Sequence, residues 1–196
     1  DSLPQHLVDA LIATEDARFF EHDGLDKMSL LRVLFKTILF GDRSSGGGST
    51  LSQQLAKNLY GRKDYGKITI MINKIKEIIL ARRIENNYSK ESIIQLYLNI
   101  ESASHRFFDV TTSNLKIEES AVLIGLLKAN SFYNPRLQPE NALNRRQVVI
   151  RQMEKYAYIA KKESDSLQDL PLKLNYKNLT ANNPAPYFIK KVKREA

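Results

Sequence analysis

Glycine and proline, the residues that most often interrupt helices, are scarce in this chain and gather mainly in two places. Only 8 glycines and 6 prolines occur in 196 residues, and most lie in the 41–48 loop or beyond residue 133. Most of the remaining chain has helical periodicity, as over 7–19 and 68–85. The second of these stretches has an apolar stripe made of Met71, Ile72, Ile75, Ile78, Ile79 and Ile84. We therefore expect a mainly α fold, with further helices over 90–98, 118–128 and 139–160.

The glycine-rich loop leads into a helix with the chemistry of an anion site. The segment 46–58 reads GGGSTLSQQLAKN. Ser49 or Thr50 is expected to cap the helix, and Thr50 with Gln53 fits a capping box. Unpaired amides at a helix start attract anions. The spacing also places four polar residues on one face of the helix: Thr50, Gln54, Lys57 and Asn58. This face suits a phosphate or pyrophosphate, although an ordinary capped surface helix is the simpler interpretation of the pattern alone.

Two carboxylates, Glu15 and Asp16, precede a run of aromatic residues and a histidine in the segment 13–24, ATEDARFFEHDG. A carboxylate near apolar surface can act as a general base or acid because desolvation changes its pKa. The alternative is a solvated helix end, where carboxylates are common. A third candidate, Glu77, lies three residues after Lys74, a spacing that more often marks a surface ion pair. His22 lacks a neighbouring His or Cys, so a metal site built on it is not expected.

Composition limits the remaining possibilities. With 42% hydrophobic residues the chain can bury one core, and it contains no run of about 20 apolar residues that would span a bilayer. The formal charge of +8 fits nucleic acid, anionic lipid or no specific partner. Zero cysteines exclude disulfides and thiol chemistry. The apolar, lysine- and arginine-containing stretch 27–40 could pack into a core or dip into a membrane surface.

Five motifs in order resemble the peptidoglycan glycosyltransferases of family 51, the glycosyltransferase domains of class A (bifunctional) penicillin-binding proteins. The first two are the segments 13–24 and 46–58 described above, and the second is similar almost residue for residue. The other three are NKIKE at 73–77, SKESIIQLYLN at 89–99, and the segment 119–153 that begins ESAVLIGLLKANSFYNP. The resemblance covers nearly the whole chain and implies a lysozyme-like, two-lobed helical domain.

The resemblance also implies a reaction and roles for particular residues. Family members polymerise lipid II into glycan strands, and undecaprenyl pyrophosphate leaves as the α-linkage inverts to β. By motif, Glu15 is the base on the acceptor 4-hydroxyl, and Glu77 assists near the donor pyrophosphate, directly or through a divalent cation such as Mg or Mn. No cofactor is otherwise required. The implied substrate-binding residues are Asp16, Phe19, His22, Ser49, Thr50, Gln54, Lys57, Asn58, Lys74, Lys128 and Ser131.

Two positions depart from the family pattern. The arginine expected at the start of the third motif is Asn73, which removes a cation from the pyrophosphate site. The connection 59–72 is a few residues longer than is usual in the family. It contains three cations that could substitute for the arginine, namely Arg62, Lys63 and Lys67. In addition, about ten aromatic- and glycine-rich residues expected after Asn99 are absent, and the chain continues directly with Ile100. We expect a loop beside the cleft at that point, either deleted or missing from the sequence.

The resemblance predicts the domain organisation and the setting of the protein. Residues 1–160 form the glycosyltransferase domain, with 27–48 as a membrane-proximal small lobe, and 161–196 form an irregular connector towards an absent transpeptidase domain. An N-terminal membrane anchor is also expected in the full-length protein. The expected location is the extracytoplasmic face of the bacterial cytoplasmic membrane, with lipid II, the growing strand and the membrane surface as partners and no nucleic acid.

Two other functions remain open from the residues alone. A lysozyme-like enzyme that cleaves glycan would use an acid carboxylate and would need no pyrophosphate cradle, which argues against it here. A non-catalytic module that binds anionic lipid would explain the charge but not the surroundings of Glu15 and Asp16.

Overall fold

The structure is a computed structural model that describes residues 3–32, 48–98 and 101–177, apart from the side chains of residues 101 and 102. In these ranges every regular element is helical, which confirms the expected mainly α fold. Short 3-10 turns occur at Phe19–Glu21, Gly66–Ile68 and Thr112–Asn114. In chain order the helices are α1 (Gln5–Glu15), α2 (27–32 within the described part), α3 (Leu51–Tyr60), α4 (Thr69–Asn87), α5 (Lys90–Leu98), α6 (Glu101–Phe108), α7 (Ile117–Lys128), α8 (Pro139–Lys155) and α9 (Lys161–Gln168).

The chain divides into two compact units. Unit 1 combines Asp1–Ala17 with Asn99–Asn183, and unit 2 combines Arg18–Leu98 with Pro184–Ala196. In unit 1, helix α7 packs along α8, and α1 packs on both. Their contact surface is an apolar core that includes Leu7, Leu11, Leu123, Ile124, Val149, Ile150 and Met153. In unit 2, helix α3 packs on α4 and α5.

Local signals explain where several helices begin. Pro139 occupies the first turn of α8, as predicted, where its missing N–H costs nothing. The Ser89 hydroxyl accepts a hydrogen bond from the Ser92 N–H at 3.3 Å, which confirms Ser89 as the cap of α5. Asp26 caps α2 in the same way, because its Oδ1 accepts from the Ser29 N–H at 3.0 Å.

The buried face of α4 is not the predicted apolar stripe. The residues of α4 that face inward are Asn73, Glu77, Ala81 and Ile84, whereas three of the six stripe residues are exposed. Met71, Ile75 and Ile79 are 58%, 52% and 51% exposed. Polar contacts explain the inner face: the Asn73 carboxamide bonds the backbone of Lys63, and Glu77 faces Arg62 and Lys74. Of the predicted stripe, Ile84 is the residue that is fully buried.

The segment after residue 160 also differs in part from the expected irregular connector. Residues Lys161–Gln168 form helix α9, which packs against α8, and 169–177 contains no helix or strand. The predicted division into a domain over 1–160 and a connector stays a prediction. The expectations for residues 33–47, for the Asn99–Ile100 junction and for 178–196 lie outside the described residues.

Candidate functional site

The start of α3 is tied to the glycine of the first motif. The Thr50 hydroxyl accepts from the Gln53 N–H at 3.2 Å and donates to the Gly24 carbonyl at 2.9 Å. The Gln53 Nε2 donates to the same carbonyl at 3.0 Å. The predicted cap is therefore confirmed, but Gln53 does not complete a capping box. Thr50 is 2% exposed and its hydroxyl makes two hydrogen bonds within the protein, and the role of Thr50 in substrate binding stays a prediction.

Lys74 connects the second motif to the third. Its Nζ donates to the Ser49 hydroxyl and to Gln53 Oε1, both at 2.6 Å, and lies 3.6 Å from Glu77 Oε2. Burial lowers the pKa of Lys74, the Glu77 carboxylate opposes that shift, and the charges of Arg62 and Lys57 reinforce it. Ser49 and Lys74, both predicted site residues, are thus brought into direct contact.

Glu77 is enclosed between two cations. It is 5% exposed, and its Oε1 accepts a hydrogen bond from Arg62 Nε at 2.8 Å. The Lys74–Glu77 pair is therefore largely buried, unlike the surface pair that the spacing most often marks. Arg62, one of three residues suggested as a substitute for the motif arginine, lies directly on this carboxylate. The arrangement concentrates positive charge around one buried anion.

The exposed face of α3 carries fewer of the predicted residues than the spacing implied. Lys57 and Asn58 are exposed, and Gln54 is half-buried with its Oε1 accepting from the Tyr97 hydroxyl at 2.9 Å. Thr50 faces inward, as described above. The face available to a ligand on this helix therefore consists of Gln54, Lys57 and Asn58.

Glu15, the predicted base, is the last residue of α1 in unit 1. Its carboxylate lies 3.4 Å from Arg145 Nη2, and both side chains are largely enclosed at 13% and 12% exposure. Gly125 on α7 makes room for this arginine, because a Cβ there would come within 2.9 Å of Arg145 Cγ. Arg145 also lies over the ring of Tyr133 at 5.8 Å. The sequence analysis missed this partner, which is 130 residues away in the chain.

The other predicted residues of the first motif are largely structural. The Phe19 side chain is fully buried, and its role in substrate binding stays a prediction. Lys90 Nζ lies 4.2 Å from the Phe19 ring centroid and donates to the carbonyls of Phe19 at 2.6 Å and His22 at 2.5 Å. The His22 side chain is 7% exposed, with Nδ1 4.0 Å from Glu85 Oε1. Lys90, which sequence reasoning missed, thus anchors the backbone of this motif.

Three further predicted residues lie in unit 1. Asp16 is the C-cap of α1 and is 8% exposed, with its N–H donating to the Ile12 carbonyl at 3.1 Å. Lys128 is the last residue of α7, and Ser131 follows in the next turn. Both are exposed and therefore accessible to a ligand.

The residues around Glu77 do not fit a divalent cation. In the part of the chain that the structure describes, no group of three His, Cys, Asp or Glu side chains could hold a metal ion. Glu77 itself already faces Arg62 and Lys74, whose charges would repel a dication. None of the helices within the described ranges is long and apolar enough to cross a membrane.

Comparison with known proteins gives a consistent family. A model described as transglycosylase matches residues 1–154. Penicillin-binding protein 1F of Bacillus subtilis is 35% identical over 198 residues, which are 96% of this chain and 27% of the relative. Penicillin-binding protein 1A of Escherichia coli is 35% identical over 205 residues, which are 100% of this chain and 24% of the relative.

A solved structure was also found. The crystal structure of penicillin-binding protein 1A from Haemophilus influenzae is 21% identical, with a TM-score of 0.45 over 98% of this chain and 19% of that one. The chain thus spans about a quarter of the length of the curated relatives it matches.

Proposed function

This chain belongs to the transglycosylase family of peptidoglycan glycosyltransferases, and we propose that it polymerises lipid II into β-1,4 glycan strands with release of undecaprenyl pyrophosphate. The observation that carries the proposal is the family match over residues 1–154, which includes all five motifs. The cationic surroundings of Glu77 and the enclosed carboxylate of Glu15 support it with chemistry suited to that reaction.

Glu15 acts as the general base. In an inverting transfer the acceptor 4-hydroxyl loses a proton as its oxygen attacks the anomeric carbon of the growing strand, so one base on that oxygen suffices. The Arg145 guanidinium, 3.4 Å away, restrains the orientation of this carboxylate. Restricted exposure of both side chains limits competition from water.

The cations of unit 2 stabilise the leaving pyrophosphate. A pyrophosphate needs its charge neutralised more than it needs a proton, so fixed positive groups are the appropriate catalysts. Lys57 is exposed on α3, and Lys74 is held by Ser49, Gln53 and Glu77. In this assignment Glu77 fixes Lys74 and Arg62 in place. We derive no step through a metal ion, because the donor set around Glu77 does not suit one.

The proposed setting is the extracytoplasmic face of the bacterial cytoplasmic membrane. The substrate is anchored by a lipid, and the relatives of this chain are penicillin-binding proteins about four times its length. We propose that the apolar segment within 27–48 meets the membrane surface and that the formal charge of +8 favours anionic lipid and pyrophosphate. A transpeptidase domain and a membrane anchor are the proposed partners in the longer protein.

Polymerisation of labelled lipid II in detergent tests the function and the base together. We expect glycan polymer from wild type and from the control Glu140→Gln, which changes an exposed carboxyl at the start of α8. Glu15→Gln removes the proton acceptor but keeps the shape, and we expect its rate to fall by about 100-fold or more. Polymer from Glu15→Gln at the wild-type rate would refute the assignment.

Product analysis separates the alternatives. Shortening of preformed glycan by wild type, without growth from lipid II, would mean a cleaving enzyme instead. Neither growth nor cleavage, together with binding of the glycosyltransferase inhibitor moenomycin, would indicate a formed site that lacks an accessory part. Absence of all three would overturn the proposed function.

A further inference from the structure

Asn73 occupies the position where the family resemblance leads us to expect an arginine, and its carboxamide is completely used. It is 2% exposed on the inner face of α4. Its Nδ2 donates to the Lys63 carbonyl at 2.7 Å and to the Thr69 carbonyl at 2.9 Å. Its Oδ1 accepts from the Lys63 N–H at 3.2 Å. One side chain therefore satisfies both backbone polar groups of Lys63.

The segment held in this way has little regular structure of its own. Helix α3 ends at Tyr60, Gly61 follows with a φ of +67°, and residues 61–65 form neither helix nor strand. A second anchor acts downstream, where the Thr69 hydroxyl accepts from the Tyr65 N–H at 2.7 Å. A backbone without helical or ladder hydrogen bonds takes its position from such side-chain anchors.

The residue that this segment presents is Arg62, directly before the anchored Lys63. Arg62 Nε donates to Glu77 Oε1 at 2.8 Å. The Arg62 side chain is nevertheless 50% exposed. The guanidinium has five donor hydrogens in a planar fork, so one bond to Glu77 leaves others for an anionic ligand.

We propose that Asn73 is a positioning residue that holds 61–65 so that Arg62 supplies the pyrophosphate site with the cation that its own position lacks. This inference rests on the proposed function and deepens it. An arginine at position 73 could not reproduce this arrangement, since it has no acceptor for the Lys63 N–H. The cation of the site is thus supplied from the long connection between α3 and α4 rather than from α4 itself.

The test is a double-mutant cycle on lipid II polymerisation. We expect Asn73→Ala and Arg62→Ala each to raise KM for lipid II about tenfold, with a smaller change in kcat. The double variant should be no worse than either single one, because both remove the same interaction. Tyr65→Ala is the matched control in the same segment: the Tyr65 side chain is 40% exposed and its backbone N–H makes the bond to Thr69, so KM should stay within about twofold of wild type.

Three results would overturn the inference. They are a wild-type KM in Asn73→Ala, losses that multiply in the double variant, and an equal loss in Tyr65→Ala. Thermal unfolding verifies that each variant is folded, and Asn73→Ser replaces Asn73→Ala in the cycle if the alanine variant is unfolded at the assay temperature.

Hydrogen exchange separates this proposal from the proposed function. Loss of the Asn73 carboxamide should speed exchange of the Lys63 amide at least tenfold, whether or not the chain polymerises lipid II. If wild type makes no polymer and the Lys63 amide still loses protection, the function fails and the anchor stands. If polymer forms and neither protection nor KM changes, the anchor fails and the function stands.

Discussion

Gly24→Ala adds only one methyl group, but we expect it to destabilise unit 2 strongly. Gly24 has a φ of +81°, and its carbonyl accepts hydrogen bonds from Thr50 and Gln53. A Cβ at this position would lie 2.9 Å from both the Ala81 carbonyl carbon and the Arg82 nitrogen. These atoms belong to the backbone of α4, so no side-chain rotation can relieve the contact.

Two costs combine in this variant. A positive φ costs an alanine about 1 to 2 kcal/mol relative to glycine, and overpacking against an immobile backbone costs typically about 1 to 3 kcal/mol. The lower entropy of alanine in the unfolded chain returns about 0.4 to 1 kcal/mol. We therefore expect the free energy of unfolding to fall by about 1 to 5 kcal/mol.

Urea unfolding followed by circular dichroism measures this loss, and Gly66→Ala is the control. Gly66 has a φ of +65°, but a Cβ there would meet no atom within 4 Å. In the control only backbone strain acts, so its free energy of unfolding should fall by about 1 kcal/mol. Equal losses in the two variants would show that α4 does not press on Gly24 and would refute the packing argument.

Two further predictions concern charged groups away from the site. Arg146 is 1% exposed and donates to the carbonyls of Gln168, Leu170 and Pro171. Arg146→Lys loses the planar fork of donors, so the free energy of unfolding in urea should fall by about 1 to 3 kcal/mol. An unchanged urea midpoint would contradict this. Burial raises the pKa of Asp26, but hydrogen bonds from Ser29 and the charge and hydrogen bond of Arg18 outweigh it and lower the pKa from 3.8 to about 2. Because the folded value lies below the unfolded one, this stabilisation is complete above pH 3.8 and is lost as the pH falls through about 2. Wild type should lose on the order of 1 to 2 kcal/mol more than Asp26→Asn between pH 4 and pH 2, and parallel acid limbs would refute the assignment.

Interactions encoded by neighbouring residues could be predicted from the sequence. The caps at Thr50 and Ser89 and the proline at the start of α8 depend on residues within one turn. The mainly helical fold follows from periodicity over single segments. The motifs also identified Lys74 and Glu77 as related residues, and their spacing of three places them on one side of a helix.

Partners distant in sequence could not be predicted in the same way. Arg145 and Glu15 are separated by 130 positions, and Lys90 reaches backbone carbonyls about 70 residues earlier. A carbonyl belongs to every residue type, so nothing in the sequence marks it as a lysine's acceptor. The inner face of α4 could not be predicted from hydrophobicity for a related reason. The buried Asn73 carboxamide makes hydrogen bonds to the N–H and carbonyl of Lys63. A hydrophobicity pattern contains no information about such hydrogen bonds.

The outward apolar face of α4 has a consequence for the heat capacity of unfolding. Apolar surface that water already reaches in the native state adds nothing to the increase in heat capacity when the chain unfolds. Met71, Ile75 and Ile79 are about half exposed and therefore contribute only in part, whereas the apolar core shared by α1, α7 and α8 contributes fully. Per residue, unit 2 should have the smaller heat-capacity increment and the flatter stability curve, and its stability should change less on cooling than that of unit 1.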